Sequence, residues 1–330
     1  MKILLIKTSS LGDLIHTLPA LCDLHRHRPD TRVHWAIEEH FTSIGSWAPN
    51  VEQVIPVPLR RLRASPWRLL PFLRHFASVT RQRHDLILDA QGLLFKSALL
   101  AWLAGKPRHG FDRRSAREPI ASFFYNFSYN IPTDLHAVAR LRLLFAQALN
   151  LPPPDAPADF GLRHRRTTPQ NDHLVFLHGT TWASKLWPES HWQALARRAQ
   201  QENLTVLLPW GNPEEEQRAH RIRAAAPDVC RVLPRMPLDA LATTLAGARG
   251  VVAVDSGPAH LAAALGTPTL CLYGPTPEAR IGIVGGHVRR LSGPCPLAPC
   301  RKRACPLRPI PPCLAALDAE TVWNALEAIP

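Results

Sequence analysis

The stretch Lys2-Ile3-Leu4-Leu5-Ile6-Lys7-Thr8-Ser9-Ser10-Leu11-Gly12-Asp13-Leu14-Ile15-His16 decides how the first half of the chain folds. Its apolar run reads as a buried strand. The run ends in a small polar turn and passes into a helical pattern carried by Leu14, Leu18 and Leu21. A strand, a tight turn and a helix N-terminus form a place where α/β proteins hold ligands, because the first N–H groups of a helix lack partners inside it. The turn also carries Asp13 beside Thr8, Ser9 and Ser10, so it offers a carboxylate for chemistry as well as groups for binding.

The same alternation continues outward from that corner. Residues 3–6, 33–37, 54–57 and 86–88 read as short buried strands, and helical periodicity covers 13–27, 92–103, 117–126 and 136–149. Strands separated by helices imply βαβ units and a parallel sheet, since parallel neighbours need a crossover between them. Leu151-Pro152-Pro153-Pro154-Asp155-Ala156-Pro157 interrupts this pattern. Consecutive prolines cannot form a helix and stiffen the chain as a spacer. The expected domains are therefore 1–155 and 156–330. In the second, 174–177, 204–208, 251–254 and 269–272 read as strands, with helices at 189–201, 214–225, 238–246 and 259–265. A tail rich in Pro, Cys and Arg follows Gly293, and a final helical pattern covers 321–328. The expected fold is α/β, two domains with parallel sheets and a ligand site in the cleft between them.

The 330 residues carry 39 Lys plus Arg against 26 Asp plus Glu, a net charge of +13. Such a surface favours polyanions: nucleic acid, an anionic membrane or phosphorylated substrates. The first apolar run is cut by Lys7, unlike a secretion signal. No apolar stretch approaches the roughly 20 residues that cross a bilayer. Seven cysteines, an odd number, fit reduced thiols better than a disulfide framework. A cytoplasmic protein with peripheral membrane contact is expected.

Neither half contains G-x-G-x-x-G or a Walker A sequence, so nicotinamide, flavin and P-loop nucleotide readings lose their best support. Phosphate has another place to go. Val251-Val252-Ala253-Val254-Asp255-Ser256-Gly257-Pro258-Ala259-His260 reads as a strand, a turn and a helix start. Pro258 suits the first helical turn, and the helix dipole favours an exposed anion by about 0.3–1 kcal/mol. Asp255 and Ser256 would equally serve as plain helix caps. The loop His178-Gly179-Thr180-Thr181-Trp182-Ala183-Ser184-Lys185 adds two adjacent hydroxyls and a cation suited to the charge on a leaving phosphate. There is no D-x-D or H-E-x-x-H sequence. The cluster Cys295, Cys300, Cys305 and Cys313 lacks the close C-x₂-C pairs of common zinc sites, so no metal is expected.

Residues 59–84 contain no acid, but Arg60, Arg61, Arg63, Arg68, Arg74, Arg81 and Arg83 alternate with Trp67, Leu69, Leu70, Phe72, Leu73 and Phe76. Cations mixed with aromatic and aliphatic side chains suit an anionic membrane interface. Asp13, at a helix start, is kept ionised by the dipole. It would cap the helix or act as a general base, a contribution of about 10²–10⁴-fold.

Six motifs then occur in order: Lys7-Thr8-Ser9-Ser10-Leu11-Gly12-Asp13; Asp89-Ala90-Gln91-Gly92-Leu93; Ser115-Ala116-Arg117-Glu118-Pro119; Thr180-Thr181 with Lys185 and Trp187-Pro188-Glu189; Pro209-Trp210-Gly211; and Asp255-Ser256-Gly257 with His260. Together they resemble the ADP-heptose-dependent glycosyltransferases of family 9, the lipopolysaccharide heptosyltransferases, over nearly the whole chain. The first and fourth motifs follow the type I pattern rather than type II. The resemblance implies a GT-B fold of two Rossmann-like domains, the acceptor on the N-terminal one and the sugar nucleotide on the C-terminal one. It also implies transfer of L-glycero-D-manno-heptose from ADP-heptose to the first Kdo of Kdo2-lipid A, with inversion and no cofactor, at the cytoplasmic face of the inner membrane. Asp13 matches the family's base. Thr180, Thr181, Lys185, Ser256 and Gly257 match diphosphate positions; Glu215 matches a ribose contact, Met236 an adenine contact, and Asp255 and His260 sugar-nucleotide positions. Ser9, Ser10, Arg60, Arg61, Arg63, Arg117, His136 and Arg140 fall on the acceptor side. The cysteine tail and Arg301-Lys302-Arg303 lie outside the type I core pattern.

Three alternatives accompany this reading: a heptosyltransferase with another acceptor, a GT-B sugar-nucleotide epimerase, and a nucleic-acid-binding module. The Arg-rich apolar stretch counts against the epimerase. Nucleic-acid binding leaves the Asp13 turn and the Thr180–Lys185 loop without a task.

Overall fold

The computed structural model describes residues 1–81, 83–165 and 173–329. The chain divides into two units, Met1–Gly161 and Leu162–Pro330. The first contains β1 (Lys2–Ile6), β2 (Arg32–Glu38), β3 (Val51–Val57), β4 (Leu86–Asp89), β5 (Arg108–Phe111) and β6 (Phe127–Tyr129). They form one parallel sheet in the order β3-β2-β1-β4-β5-β6. The second contains β7 (His173–Leu177), β8 (Thr205–Leu208), β9 (Cys230–Val232), β10 (Gly250–Val254), β11 (Thr269–Tyr273) and β12 (Val288–Ser292), again all parallel, in the order β12-β11-β10-β7-β8-β9.

Numbered within its own unit, each sheet runs 3-2-1-4-5-6, the doubly wound order. Strand order reverses between β1 and β4 in one unit and between β7 and β10 in the other. Loops leaving these strands on either side of that point diverge to opposite faces and open a crevice at their carboxyl ends. The central strands are covered on both faces, so they are apolar throughout: Leu4, Leu5 and Ile6 in β1, and Val251 to Val254 in β10, are fully buried.

Several elements differ from the sequence reading. The helix expected over 13–27 is two, Leu11–Ile15 and Leu18–His27. Pro19 has no N–H to give the preceding turn, so the helix restarts there. Over 92–103, Gly92 takes a left-handed φ of 68°. A wide turn follows, in which the Ala98 N–H reaches the Leu93 carbonyl (2.9 Å), and the α-helix covers only Leu99–Ala104. The helix expected over 117–126 is a short 3₁₀ turn, Pro119–Phe124, with only Ala121 buried. Strands β5, β6, β9 and β12 were not legible, being short, at or near sheet edges and mixed in polarity.

The proline run does not end the first unit, whose boundary falls at Gly161 rather than at 155. Arg142 explains this. Its Nε and Nη2 bind Asp23 (2.6 and 3.1 Å), while Nη1 binds the Ala156 carbonyl (2.8 Å), pinning the run to the first unit's helices. The Arg-rich stretch forms Leu59–Ala64 and Leu69–Thr80. Phe76 enters the core and Phe72 and Leu73 pack against it, whereas Trp67 (74%) and Leu70 (56%) remain exposed. The final helix, Ala319–Glu327, starts at Asp318, which accepts from the Thr321 N–H (2.8 Å), and buries Val322 and Trp323 in the second unit's core.

Candidate active site

In the first unit the turn after β1 is tied to the loop after β4, its neighbour across the switch point. Gln91 Oε1 accepts from the Thr8 N–H (2.8 Å) and hydroxyl (2.9 Å). Asp89 fixes that loop in turn. Its Oδ1 accepts from the N–H groups of Gln91 (2.8 Å) and Gly92 (3.1 Å), and its Oδ2 from the Tyr125 hydroxyl (2.7 Å).

Asp13 occupies the third position of helix Leu11–Ile15, where a carboxylate reaches back to the capping residue. Its Oδ2 accepts from the Ser10 N–H (2.8 Å) and hydroxyl (3.1 Å), leaving Oδ1 facing Lys7 Nζ at 3.9 Å. Burial opposes its charge. Lys7, the Ser10 hydrogen bonds and Arg117 outweigh that, so the Asp13 carboxyl titrates below its ordinary range. The side chain is still 34% exposed, so this carboxylate is both ionised and reachable. Lys7 lies almost wholly inside, donates to the Ala90 carbonyl (3.1 Å) and is pushed down by burial.

Of the expected acceptor residues, Arg117 and Arg140 lie within electrostatic reach of this pair. Arg140 donates to the Ser115 carbonyl (2.6 Å) and covers the Phe111 ring at 5.2 Å. His136 caps helix Ala137–Leu149 and meets His16 edge to face at 5.4 Å. Ser9 and Ser10 form the turn itself. Arg60, Arg61 and Arg63 sit on Leu59–Ala64, a separate basic group. There Arg61 pairs with Glu39, and Arg60 lies over Phe41 at 5.7 Å. Glu38 joins the two groups: its N–H donates to the Thr8 carbonyl (2.9 Å) and its Oε2 accepts from the Leu59 N–H (3.2 Å).

The second unit repeats the scheme across its own switch point. The loop after β7 reaches the corner after β10 through the Thr180 hydroxyl, which donates to the Asp255 carbonyl (3.1 Å). Lys185 Nζ contacts Asp255 Oδ2 at 2.7 Å. The same oxygen accepts from the Thr276 hydroxyl (2.6 Å), and Oδ1 lies 3.8 Å from His260 Nε2. Burial pushes the Asp255 carboxyl up, but His260 and Lys185 more than reverse it and hold it far below the carboxylate range. Asp255 is thus buried, with its carboxylate engaged by Lys185 and Thr276 and close to His260.

Ser256 caps helix Gly257–Ala264, yet its buried hydroxyl has no partner among the described residues. No acidic residue stands in that first turn. Such a helix start favours an anion. Thr181 is exposed in the loop after β7. The Glu215 carboxylate accepts from the Gly211 N–H (2.8 Å), and a Cβ on Gly179 would strike it at 2.4 Å, which places Glu215 against the loop after β7. Met236 lies half-buried on the loop after β9.

The sequence reading missed Thr276, which anchors Asp255, and Trp182, whose ring lies 4.6 Å from Lys185 Nζ. The cysteines Cys295, Cys300, Cys305 and Cys313 are free thiols lining one small cavity with Ser184 and Pro275. Among the described residues, the only cluster of three potential ligands within 4.8 Å of one another is Glu38, Glu39 and His40. Two of these carboxylates already hold the Leu59 N–H and Arg61.

Two doubly wound parallel units, each with a polar corner at its switch point, form the architecture of the GT-B class. A solved structure of E. coli heptosyltransferase WaaC with ADP matches at a TM-score of 0.88, with 37% identity over 99% of each chain. The same enzyme with ADP-2-deoxy-2-fluoro heptose matches at 0.86, also with 37% identity over 99% of each chain. Lipopolysaccharide heptosyltransferase 1 of Pseudomonas aeruginosa is 45% identical over 100% of this chain and 98% of its own length. The model for glycosyltransferase family 9 (heptosyltransferase) matches residues 72–310. The chain belongs to glycosyltransferase family 9.

Proposed function

We propose that this enzyme moves L-glycero-D-manno-heptose from ADP-heptose to the first Kdo of Kdo2-lipid A. The observation that carries the reading is the pair of switch-point corners, one with an exposed, ionised carboxylate and one with a lysine beside an unfilled helix start. The likeness to heptosyltransferase 1 supports both substrates.

Asp13 Oδ1 takes the proton of the acceptor hydroxyl as that oxygen attacks the anomeric carbon. Ser10 holds the other oxygen, which fixes the carboxylate's direction. Attack opposite the departing ADP inverts the anomeric centre. Lys185 and the Ser256 helix start take up the negative charge that grows on the diphosphate, the usual task of preorganised cations and N–H groups. Thr180 and Thr181 border the same position, Glu215 takes the ribose and Met236 packs on the adenine. Arg117, Arg140 and His136 receive the acidic acceptor sugar.

The lipid end of the acceptor calls for contact with a bilayer, and the first unit carries suitable residues. Trp67, Leu69 and Leu70 are exposed beside Arg60, Arg63 and Arg68. Phe95 (78%) and Trp102 (54%) stand out from neighbouring segments. Aromatic and aliphatic groups enter the headgroup region while arginines meet anionic lipid. No helix among the described residues is long and apolar enough to cross a membrane, so the contact is peripheral, at the cytoplasmic face where the sugar nucleotide is available.

Transfer from purified ADP-heptose to Kdo2-lipid A, with a Kdo-heptose acceptor as control, tests the reading. Product from Kdo2-lipid A alone supports it. Product only from the Kdo-heptose acceptor would assign type II specificity.

A further inference from the structure

The Arg301-Lys302-Arg303 run grips the donor loop at its most sensitive place. Ser184, immediately before Lys185 and 2% exposed, donates its N–H to the Arg303 carbonyl (3.1 Å) and its hydroxyl to the Lys302 carbonyl (2.5 Å). One residue earlier, the Arg301 N–H donates to the Pro275 carbonyl (2.7 Å). Pro275 precedes Thr276, which holds Asp255, the partner of Lys185. Three successive tail residues thus tie together the loop that carries the lysine and the turn that anchors its carboxylate. The cysteine-lined cavity lies behind this contact and includes Ser184 and Pro275 in its wall.

The side chain of Arg303 adds charge to the same place. Its guanidinium carbon lies 6.0 Å from the centre of the Trp182 ring, and Lys185 Nζ lies 4.6 Å from that centre. The two cations therefore share one aromatic support. Arg303 is exposed, with its fork of N–H donors available to solvent, and an arginine fork fits two phosphate oxygens at once. Lys185, by contrast, is already engaged with Asp255.

We propose that Arg303 is a second cation for the diphosphate of the sugar nucleotide, and that the 301–303 run positions the Lys185 loop. The inference rests on the reading of Lys185 as a diphosphate ligand. It gives the tail a role that the family's core motifs do not supply.

Calorimetric binding of ADP and of adenosine to the full chain tests it. Arg303→Ala is expected to weaken ADP about tenfold, the loss of one strong charge-assisted contact, and to leave adenosine unchanged. Arg303→Lys should recover part of the loss. Lys302→Ala removes the same charge from a residue that uses only its carbonyl here, and should stay within about twofold. Equal losses for Arg303→Ala and Lys302→Ala would overturn the proposal in favour of a general field effect, and so would an equal loss of adenosine. Ser184→Ala should raise the donor KM more than it lowers kcat; an unchanged KM would remove the positioning role. Lys185→Ala, run in parallel, separates the two failures. If it leaves ADP binding intact, the diphosphate reading itself is wrong. If it weakens ADP while Arg303→Ala does not, only the tail inference falls.

Discussion

In the first unit the corner after β1 presents a carboxylate above a buried lysine; in the second, the loop after β7 presents a lysine against a buried carboxylate. Strand order, switch point and cross-linking of neighbouring loops are the same in both. What differs is how each helix start is satisfied. Asp13 lies in the first turn of its own helix and binds back to Ser10, so that N-terminus already has its anion. Helix Gly257–Ala264 has no acid in its first turn, and the Ser256 hydroxyl has no partner among the described residues. Under the proposed function, one scaffold serves a base in one unit and a phosphate in the other, according to whether the helix start is filled from within.

Exchanging or removing these charges tests the comparison. The largest effect is expected from Asp13→Asn, which keeps the Ser10 contacts but loses the base. Turnover should drop by about 10²–10⁴-fold, with ADP affinity within twofold by calorimetry; near-normal turnover would mean that the carboxylate only caps its helix. Lys185→Ala comes next. It leaves Asp255 buried without its cation and should weaken ADP by about 10- to 100-fold, the range for a charge-assisted contact. Unchanged donor kinetics would show that the two corners are not complementary.

Acid should strain both units through buried histidines. His178, fully buried in the second unit, is pushed down to about 3 by desolvation and Arg218. His84 in the first is pushed down to about 4, chiefly by burial. With folded values below the ordinary 6.5, the unfolded chain binds more protons between those limits. Stability is then complete above about pH 6.5 and is lost as pH falls toward 4 and 3. The loss by pH 5 should be about 2 kcal/mol for each histidine. Calorimetric unfolding that is flat from pH 7 to pH 5 would contradict this.

Thr276→Val probes the buried side of the second corner. Removing its 2.6 Å bond to Asp255 should raise the donor KM several-fold with little change in acceptor KM. The smallest and most salt-dependent change belongs to the first unit's outer face. Replacing Arg60, Arg61 and Arg63 by Gln should weaken use of Kdo2-lipid A in anionic vesicles by about threefold to tenfold at low salt, since a basic residue near such a surface is worth about 1 kcal/mol and Arg61 and Arg60 are already engaged with Glu39 and Phe41. ADP binding should be spared; an equal loss of both would make the stretch structural.

The readable parts of the site were local. Asp13, Lys185, Ser256 and Gly257 lie within short strand–turn–helix segments, where apolar runs and turn residues declare themselves over a few positions. Thr276, Trp182 and Arg303 gave no such signal. Thr276 matters because β11 lies beside β10, which brings its turn to Asp255, 21 residues earlier. Arg303 matters because the tail crosses to Ser184, 119 positions away in sequence. The proline run misled for a related reason. Its stiffness was legible, but its attachment through Arg142 was not.

By itself the sequence determined two parallel α/β units, because buried central strands must be apolar on both faces. It also determined that a carboxylate, Asp13, and a cationic loop, Thr180–Lys185, stand at strand-end turns. Only the tertiary structure decided which groups each charge faces: Asp13 with Lys7 and Ser10, Asp255 with Lys185 and Thr276, and the tail with the Thr180–Lys185 loop. Charge energies depend on distance and burial rather than on separation along the chain, and those are set only when distant strands come into register.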